Sequence, residues 1–476
     1  MAGFFVMVDI QFLKRKEALK DKCGVFGIFS KNEDVARISF FGLYSLQHRG
    51  QEGAGISVSD GKKIKTIKAL GLVPTVFNDK NISSLKGHIA IGHTRYSTTG
   101  GNTANNVQPI VCAYKKEQLS LAHNGNIINA MSLKNQLKGI HFSSTTDTEI
   151  MGYTIMYESG KTWSEKIAKS VKLFDGAFSM VLMTKNKLIA FRDSYGFRPL
   201  VLGKLDGGYI VCSETCALDT VGAKYIRDVK PGEIISIDQN GISSVYKPNG
   251  QKRSLCLFEY IYLARPDSIL NNELVHQVRQ RSGEILSYEA PVAGDIVVAV
   301  PDSGTSAAIG YSRASGIPFG EILIKNRYIG RTFIQPEQRI REMGVKIKFN
   351  PLKTIVKGKR IIIVDDSIVR GTTIKKIIHV LRECGAKKVH IRICSPPITD
   401  PCYFGVDTPE RKHLIAAEKT VSEITNFIDA DSLKYLSLTG LIRAARQKSN
   451  SLCTGCFSGK YPILINEQFK KNILES

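Results

Sequence analysis

The chain has 476 residues and a formal net charge of +23, long enough for two or three domains that each bury a core. No run approaches the roughly 18 apolar residues that span a membrane, and "FFVMV" near the start is cut short by Asp9, which argues against a secretory segment and places the chain in the cytoplasm. The basic excess attracts polyanions, but no basic stripe is interleaved with aromatics and no zinc-finger or helix-turn-helix spacing occurs, so phosphorylated small molecules are favoured over nucleic acid or membrane.

Residues 1–22 differ in character from the rest of the chain and read as a leader ahead of Cys23. From Val25 to about Tyr246 the text alternates in short runs: "GISVSDGKKIKTIKALG", "HIAIGHTRYST", "QLSLAHNGNI", "AFSMVLMTKNKLIAFRD", "RPLVLGKLDGGYIVCSE" and "PGEIISID". These predict antiparallel strands and hairpins, with helices in "DVARISFFGLYSLQ" and "DTEIMGYTIMYES" covering the sheets. A polar linker, "SVYKPNGQKRS", separates this half from a second one. There, "DIVVAV", "PDSGT", "SAAIGYSRAS" and "FGEILI" read strand, loop, helix, strand, and "RIIIVD", "DSIVRGT", "TIKKIIHVLRECG" and "KVHIRIC" repeat the order. Continuously apolar strands separated by helices predict a parallel sheet, whose ligands gather at the carboxyl ends of its strands. Domains are expected at 23–250 and 251–445, with 446–476 as a short strap.

The string "IIIVDDSIVRGTT", residues 361–373, is the most specific signal. A buried strand ends in Asp365 and Asp366, and a loop of hydroxyls and glycine leads into a helix whose first NH groups, with Ser367, Thr372 and Thr373, suit a phosphate monoester. The acids would repel phosphate but can hold ribose hydroxyls or Mg²⁺. Helix capping accounts for one acid and one hydroxyl, not for the whole string. This stretch resembles the phosphoribosyl pyrophosphate (PRPP) signature of type I phosphoribosyltransferases. The resemblance implies PRPP contacts from Asp365, Asp366, Ser367, Arg370, Gly371, Thr372 and Thr373, and Mg²⁺ contacts from Asp365, Asp366 and, in "VPDSGTSAA", Ser303. The basic stretch 325–360 then acquires a use as a mobile cover over pyrophosphate.

Four segments of the first half, "CGVFG" at 23, "GHTRYSTTG" at 92, "AHNGNI" at 122 and "SSTTDTEI" at 143, resemble the N-terminal-nucleophile glutamine amidotransferases. In that family the cysteine becomes residue one, and its α-amine, with a reference pKa of about 7.7–8.0, is a base for its own thiol. The resemblance implies Cys23 as nucleophile, Arg95 on the glutamine α-carboxylate, Asp147 on its α-ammonium, and Asn124 with Gly125 as oxyanion hole. Each has an ordinary reading alone: a surface charge for Arg95, a hairpin turn for Asn124-Gly125, a helix cap for Asp147. Jointly those readings are improbable. His48, His93 and His123 flank the motifs and are given no chemistry.

Ten cysteines in a cytoplasmic chain argue for metal ligands, a catalytic thiol or small buried hydrophobes rather than disulfides. "CTGC" at 453–456 lacks a second CxxC, so any further ligands must be distant. From Cys23 onward the chain is similar to the glutamine-dependent amidophosphoribosyltransferases in their iron-sulfur branch. That resemblance implies an N-terminal-nucleophile αββα sandwich followed by a type I phosphoribosyltransferase domain. It also implies a [4Fe-4S] cluster on Cys256, Cys402, Cys453 and Cys456, purine nucleotide feedback and a homotetramer. Cys112, Cys212, Cys216, Cys384 and Cys394 remain as buried hydrophobes. Synthesis of glucosamine phosphate or asparagine fits the first half only, since the second carries the PRPP loop and no "SGGxDS". A regulatory PRPP or nucleotide sensor without turnover is the remaining alternative, and it predicts losses among catalytic positions that are all filled.

Overall fold

In a computed structural model of the chain, the described residues are 23–96, 101–246, 253–325, 349–408, 410–465 and 474. The leader 1–22, residues 97–100 of the "GHTRYSTTG" motif, the linker 247–252 and residues 326–348 of the expected cover lie outside them. The chain forms two compact units, one from the described residues of 20–278, 400–408 and 445–476, the other from those of 279–399 and 409–444.

The first unit carries thirteen principal strands: β1 (Gly24–Ser30), β2 (Gly53–Ser59), β3 (Ile64–Leu70), β4 (Ile89–Arg95), β5 (Ile110–Tyr114), β6 (Glu117–Ile127), β7 (Gly176–Met183), β8 (Leu188–Arg192), β9 (Val201–Leu205), β10 (Gly208–Cys212), β11 (Lys224–Asp228), β12 (Ile234–Asp238) and β13 (Gly241–Tyr246). They make a seven-stranded sheet, β11-β9-β10-β1-β4-β2-β3, and a six-stranded sheet, β13-β12-β8-β7-β6-β5. Every strand pairing within them is antiparallel.

The two-residue period of a strand assigns each side chain to a layer. Val25 and Phe29 of β1 join the core between the sheets, with Ala122, Val181 and Val211. Phe26 and Ile28, on the other face of β1, pack under the helix Val35–Ser45 with Leu43 and Cys216. The six-stranded sheet does the same with Leu119, Leu121 and Met180, which pack with Ile150, Met151 and Ile155 of the helix Asp147–Tyr157. Helix, sheet, sheet, helix is the expected αββα sandwich. Asn124 and Gly125 sit inside β6, paired with Ser179 and Phe178, rather than in a hairpin turn.

Short pairings complete this unit. β14 (Leu255–Cys256) pairs in parallel with the tail, and β15 (Ile269–Leu270) pairs with β16 (Glu273–Leu274).

The second unit contains β17 (Ile296–Ala299), β18 (Leu323–Lys325), β19 (Phe349–Pro351), β20 (Arg360–Asp365), β21 (Lys388–Ile393) and β22 (Ser432–Tyr435). A four-stranded parallel sheet runs β17-β20-β21-β22, and Ile361, Ile363, Val389 and Ile391 pack in its core. "FGEILI" departs from the expectation. Only Phe319 makes a parallel bridge to Val297, while β18 pairs antiparallel with β19 in a separate two-stranded sheet. The flanking Gly320 accounts for a strand that does not run through.

Two helices of this unit approach closely because both carry glycine at the contact. An added Cβ at Gly283 would stand 1.8 Å from the Ala307 carbonyl oxygen, and one at Gly310 1.9 Å from that of Gln280. Gly283→Ala should overpack this contact by about 1–3 kcal/mol, read as a lower melting temperature in a thermal scan. An unchanged melting temperature would show that the helices separate freely.

Candidate active site

Cys23 stands immediately before β1, and pairing of Gly24 with Thr94 sets it beside the end of β4, where Arg95 lies. Its Sγ donates to the Tyr96 carbonyl at 3.4 Å. Burial pushes the thiol up to about 11, against the opposing pull of that bond and of the Arg95 charge. Arg95 is itself buried, which lowers its pKa, and its Nη2 donates to Gly101 O at 3.1 Å.

Asp147 is the first residue of its helix, not the cap: Thr146 holds that position without a side-chain capping bond. Burial raises the Asp147 pKa, but His123 at 3.5 Å, the Ile127 amide at 3.1 Å and the Thr148 hydroxyl at 3.3 Å outweigh it and keep the carboxylate below its usual range. The preceding "SSTT" turn folds back on Glu149, which accepts from the amides and hydroxyls of Ser143 and Ser144 at 2.6–3.0 Å. His123 and His93 are structural: His93 Nε2 bonds the His123 carbonyl at 3.1 Å, and burial drives its pKa to about 3, so it stays neutral.

Asn124 is buried, yet neither Oδ1 nor Nδ2 of its amide has a hydrogen-bond partner among the described residues. Buried amides are nearly always paired, so an orphan of this kind marks a place for a polar ligand group. Gly125 has φ +152°, and an added Cβ would meet the Ala177 carbonyl oxygen at 1.9 Å, so only glycine brings its backbone into this position.

A further residue escaped the sequence reading. Asn106 is buried in the loop after β4. Its Nδ2 donates to Gly101 O at 2.8 Å and Thr145 Oγ1 at 2.9 Å, and its Oδ1 accepts from Thr145 N at 2.9 Å. Asn106 therefore ties the carbonyl that receives Arg95 to the turn that carries Asp147. Only the folded partners give "NNVQP" this meaning.

In the second unit, β20 ends on the acid pair. Asp366 N donates to Asp365 Oδ1 at 2.8 Å, the Ser367 hydroxyl donates to Asp366 Oδ1, and Ser303 hydrogen-bonds Asp366. An added Cβ at Gly304 would stand 2.5 Å from Val364 O, so the "PDSGT" loop lies directly against the end of β20. Burial and then mutual repulsion hold Asp365 well above the usual carboxylate range; burial also raises Asp366, opposed by Ser303, Ser367 and Arg279. Arg279, from the helix Val275–Glu289, was not foreseen. The helix Thr372–Glu383 begins at Gly371, which has φ +75° and leaves the first turn without a side-chain cap. The capping explanation of "DDSIVRGTT" is therefore not realised here, and Thr372 and Thr373 stand at an open helix start behind Ser367 and Arg370.

Four cysteines converge in the first unit. Cys256 of β14 pairs in register with Cys453 of β23 (Leu452–Cys453), Cys456 O accepts from Asp400 N at 3.2 Å, and Phe404 N donates to Cys402 Sγ at 3.4 Å. All four thiols are raised by burial, and Cys456 further by Cys256, Cys402 and Cys453. Among the described residues no group of three or more His, Cys, Asp or Glu is close enough to hold a metal ion. Cys112, Cys212, Cys216 and Cys394 are buried as expected, while Cys384 is half-buried.

A glutamine amidotransferase domain model matches residues 93–220 and a phosphoribosyl transferase domain model residues 267–395. The chain is 47% identical over 470 residues to the amidophosphoribosyltransferase of Synechococcus elongatus, covering 97% of this chain and 95% of that one. It is 46% identical to that of Bacillus subtilis, covering 94% and 96%. A solved structure of glutamine PRPP amidotransferase from B. subtilis, complexed with ADP and GMP, matches with a TM-score of 0.90 at 45% identity, over 94% of this chain and 99% of that one.

Asn106→Ala should raise the KM for glutamine roughly tenfold, the equivalent of ~1.4 kcal/mol, in steady-state glutaminase assays. It should leave phosphoribosylamine synthesis from PRPP and free ammonia unchanged. An unaltered glutamine KM would show that Arg95 and Asp147 hold their places without the clamp.

Proposed function

The chain belongs to the amidophosphoribosyltransferase family, glutamine-dependent phosphoribosyltransferases of the first step of purine biosynthesis, and on that premise we propose how its residues divide the work. Glutamine binds in the first unit, its α-carboxylate on Arg95 and its α-ammonium on Asp147. After removal of residues 1–22, the free amine of Cys23 takes the thiol proton as Sγ attacks the side-chain amide carbon. Asn124 Nδ2 and the Gly125 NH receive the negative oxygen, a contribution of about 2.7–4 kcal/mol per donor in related chemistry. The proton passes to the departing ammonia, leaving a Cys23 thioester. Water adds to that thioester, releasing glutamate and restoring the thiol. The observation that carries this reading is the buried, unpartnered amide of Asn124.

In the second unit the 5-phosphate of PRPP lies on the uncapped helix start at Gly371, Thr372 and Thr373, with Ser367 and Arg370, while Asp365 and Asp366 take the ribose hydroxyls. Ammonia attacks ribose C1 and pyrophosphate leaves. Two buried carboxylates, both raised by burial and Asp365 further by its neighbour, suit a divalent cation, and Asp365, Asp366 and Ser303 are the groups that would hold Mg²⁺. Bound there, Mg²⁺ supplies positive charge to the departing pyrophosphate.

The convergent thiols of Cys256, Cys402, Cys453 and Cys456 suit a [4Fe-4S] cluster in a structural role. Four thiols close enough to act on one another's charge give the all-cysteine donor set that such a cluster takes. Purine nucleotides are proposed feedback ligands on the strength of the ADP and GMP bound by the B. subtilis relative. A homotetramer and a cytoplasmic location complete the reading. The activities divide as 23–250 and 251–445, with 446–476 as a strap; by packing, residues 253–278 and the described tail belong to the first unit.

Purified protein given glutamine, PRPP and Mg²⁺ should yield glutamate and pyrophosphate in equal amounts, and neither after Cys23→Ser. A sensor without turnover yields neither from the wild type.

Intact mass should show loss of residues 1–22 in the active enzyme. Alkylation of Cys23 by iodoacetamide should climb toward about pH 11 in the uncleaved chain, where Cys23 carries an amide, and level off nearer pH 8 once the amine is free. Coincident pH profiles would dismiss the amine as base.

Aerobically purified protein should be brown, with about four irons per chain, and Cys402→Ser should bleach it. A colourless, fully active enzyme would sink the cluster.

A further inference from the structure

The segment Cys402–Gly405 lies against β6 at Gly125, one of the two residues given to the oxyanion hole, and at its neighbour Asn126. An added Cβ at Gly405, where φ is +95°, would stand 2.8–2.9 Å from the carbonyl carbon, Cα and oxygen of Gly125. Gly125 is thus crowded by the Ala177 carbonyl, which leaves no room for a Cβ, and by the Gly405 backbone, which leaves no room for one at 405. One residue along, Asn126 Nδ2 donates to Tyr403 O at 2.9 Å. The segment is fastened from behind as well. Arg198, fully buried, donates through Nε to Phe404 O at 2.9 Å, with Nη2 on the same oxygen, and Nη2 also reaches Cys402 Sγ at 3.9 Å. The Phe404 ring stacks on Phe197 with centroids 4.5 Å apart, and Cys402 N donates to Thr408 Oγ1 at 2.5 Å.

We infer that Cys402–Gly405 is a positioning strap for the oxyanion hole, with Gly405 as the positioning residue that fixes the Gly125 NH. The inference rests on the assignment of Asn124 and Gly125 to that hole. A strand interior does not by itself hold a peptide at φ +152°, since that conformation is open to glycine and easily relaxed. Close approach of the Ala177 and Gly405 backbones to Gly125 restricts the freedom to relax. Acting through the Gly125 NH, Gly405 should matter most in the transition state, when the amide oxygen becomes negative. The strap begins at Cys402, one of the four convergent thiols.

The test compares four variants of the full-length enzyme in two assays, glutamine hydrolysis and phosphoribosylamine formation from PRPP with ammonium chloride. Gly405→Ala should lower kcat for glutamine hydrolysis about 10²-fold, the cost of roughly 1 Å of misplacement, with glutamine KM unchanged and ammonia-dependent turnover intact. Asn126→Ala frees the strap from β6 without strain at position 405, and should lower the same kcat by a smaller factor. It decides the matter where Gly405→Ala does not accumulate. Gly139→Ala places alanine at φ +77° in open space, and controls for backbone strain alone; it should match the wild type in both assays. Asn124→Ala tests the underlying assignment.

Full glutaminase kcat in Gly405→Ala and Asn126→Ala, with Asn124→Ala impaired, overturns the strap and leaves the oxyanion hole standing. An unimpaired Asn124→Ala overturns both. A parallel fall of both activities in the strap variants shows a merely structural segment and also overturns the inference.

Discussion

Four charged side chains with no exposed surface hold the first unit to one arrangement. Glu214 accepts from Arg49 Nε, Arg49 Nη2 donates to Glu259 at 2.7 Å, and Arg198 Nη1 donates to Glu259 at 3.5 Å. Removing one partner from such a chain strands a buried charge, at a cost of about 3–5 kcal/mol. Glu214 is satisfied further by His48 at 2.8 Å, Ser268 Oγ at 2.6 Å and the Arg265 amide at 2.9 Å, which holds it well below the ordinary carboxylate range although burial pushes the other way. Arg49 follows the helix Val35–Ser45, and Arg198 grips the Phe404 carbonyl and borders Cys256, Cys402 and Cys453.

That network explains why cysteines so far apart in the chain share one environment. Cys256 directly precedes the turn that contains Glu259, Cys402 lies two residues before the carbonyl held by Arg198, and Cys453 pairs with Cys256. Low dielectric strengthens each ion pair and also raises every thiol, so the thiols are held protonated until a cation or cluster offsets the cost of charging them. The proposed cluster would complement the buried salt-bridge chain in a segment with little regular secondary structure.

The two candidate centres use opposite electrostatic strategies. Around Cys23, Arg95 and Asp147 provide fixed charges of opposite sign, matched to the zwitterionic end of an amino acid. At Asp365 and Asp366 two carboxyls are buried side by side; burial raises both, and Asp365 is raised further by its neighbour, an arrangement that is unfavourable until a cation or polyol enters. On the proposed assignment the first centre would take a substrate carrying both signs and the second a polyol with its cation.

Local pattern alone determined a good deal here. Period-two alternation marked β1, β4, β6 and the β7–β8 hairpin, because each strand has two faces that meet different layers. Unbroken apolar runs marked β17 and β20, because a parallel sheet is buried on both sides. Cys23, Arg95, Asn124 and Asp147 were proposed through their strings' resemblance to a known family, while 365–373 also stood out by its acids, hydroxyls and glycine ahead of a helix. Tertiary structure alone decided the rest: the antiparallel turn of "FGEILI" away from the parallel sheet, Asn106 as a clamp, Arg279 beside Asp366, the Glu214-Arg49-Glu259-Arg198 chain, and Gly405 behind Gly125. Each depends on partners tens to hundreds of residues away. A glycine in a polar run looks the same whether it faces solvent or another backbone at van der Waals contact, and only the packed chain distinguishes the two.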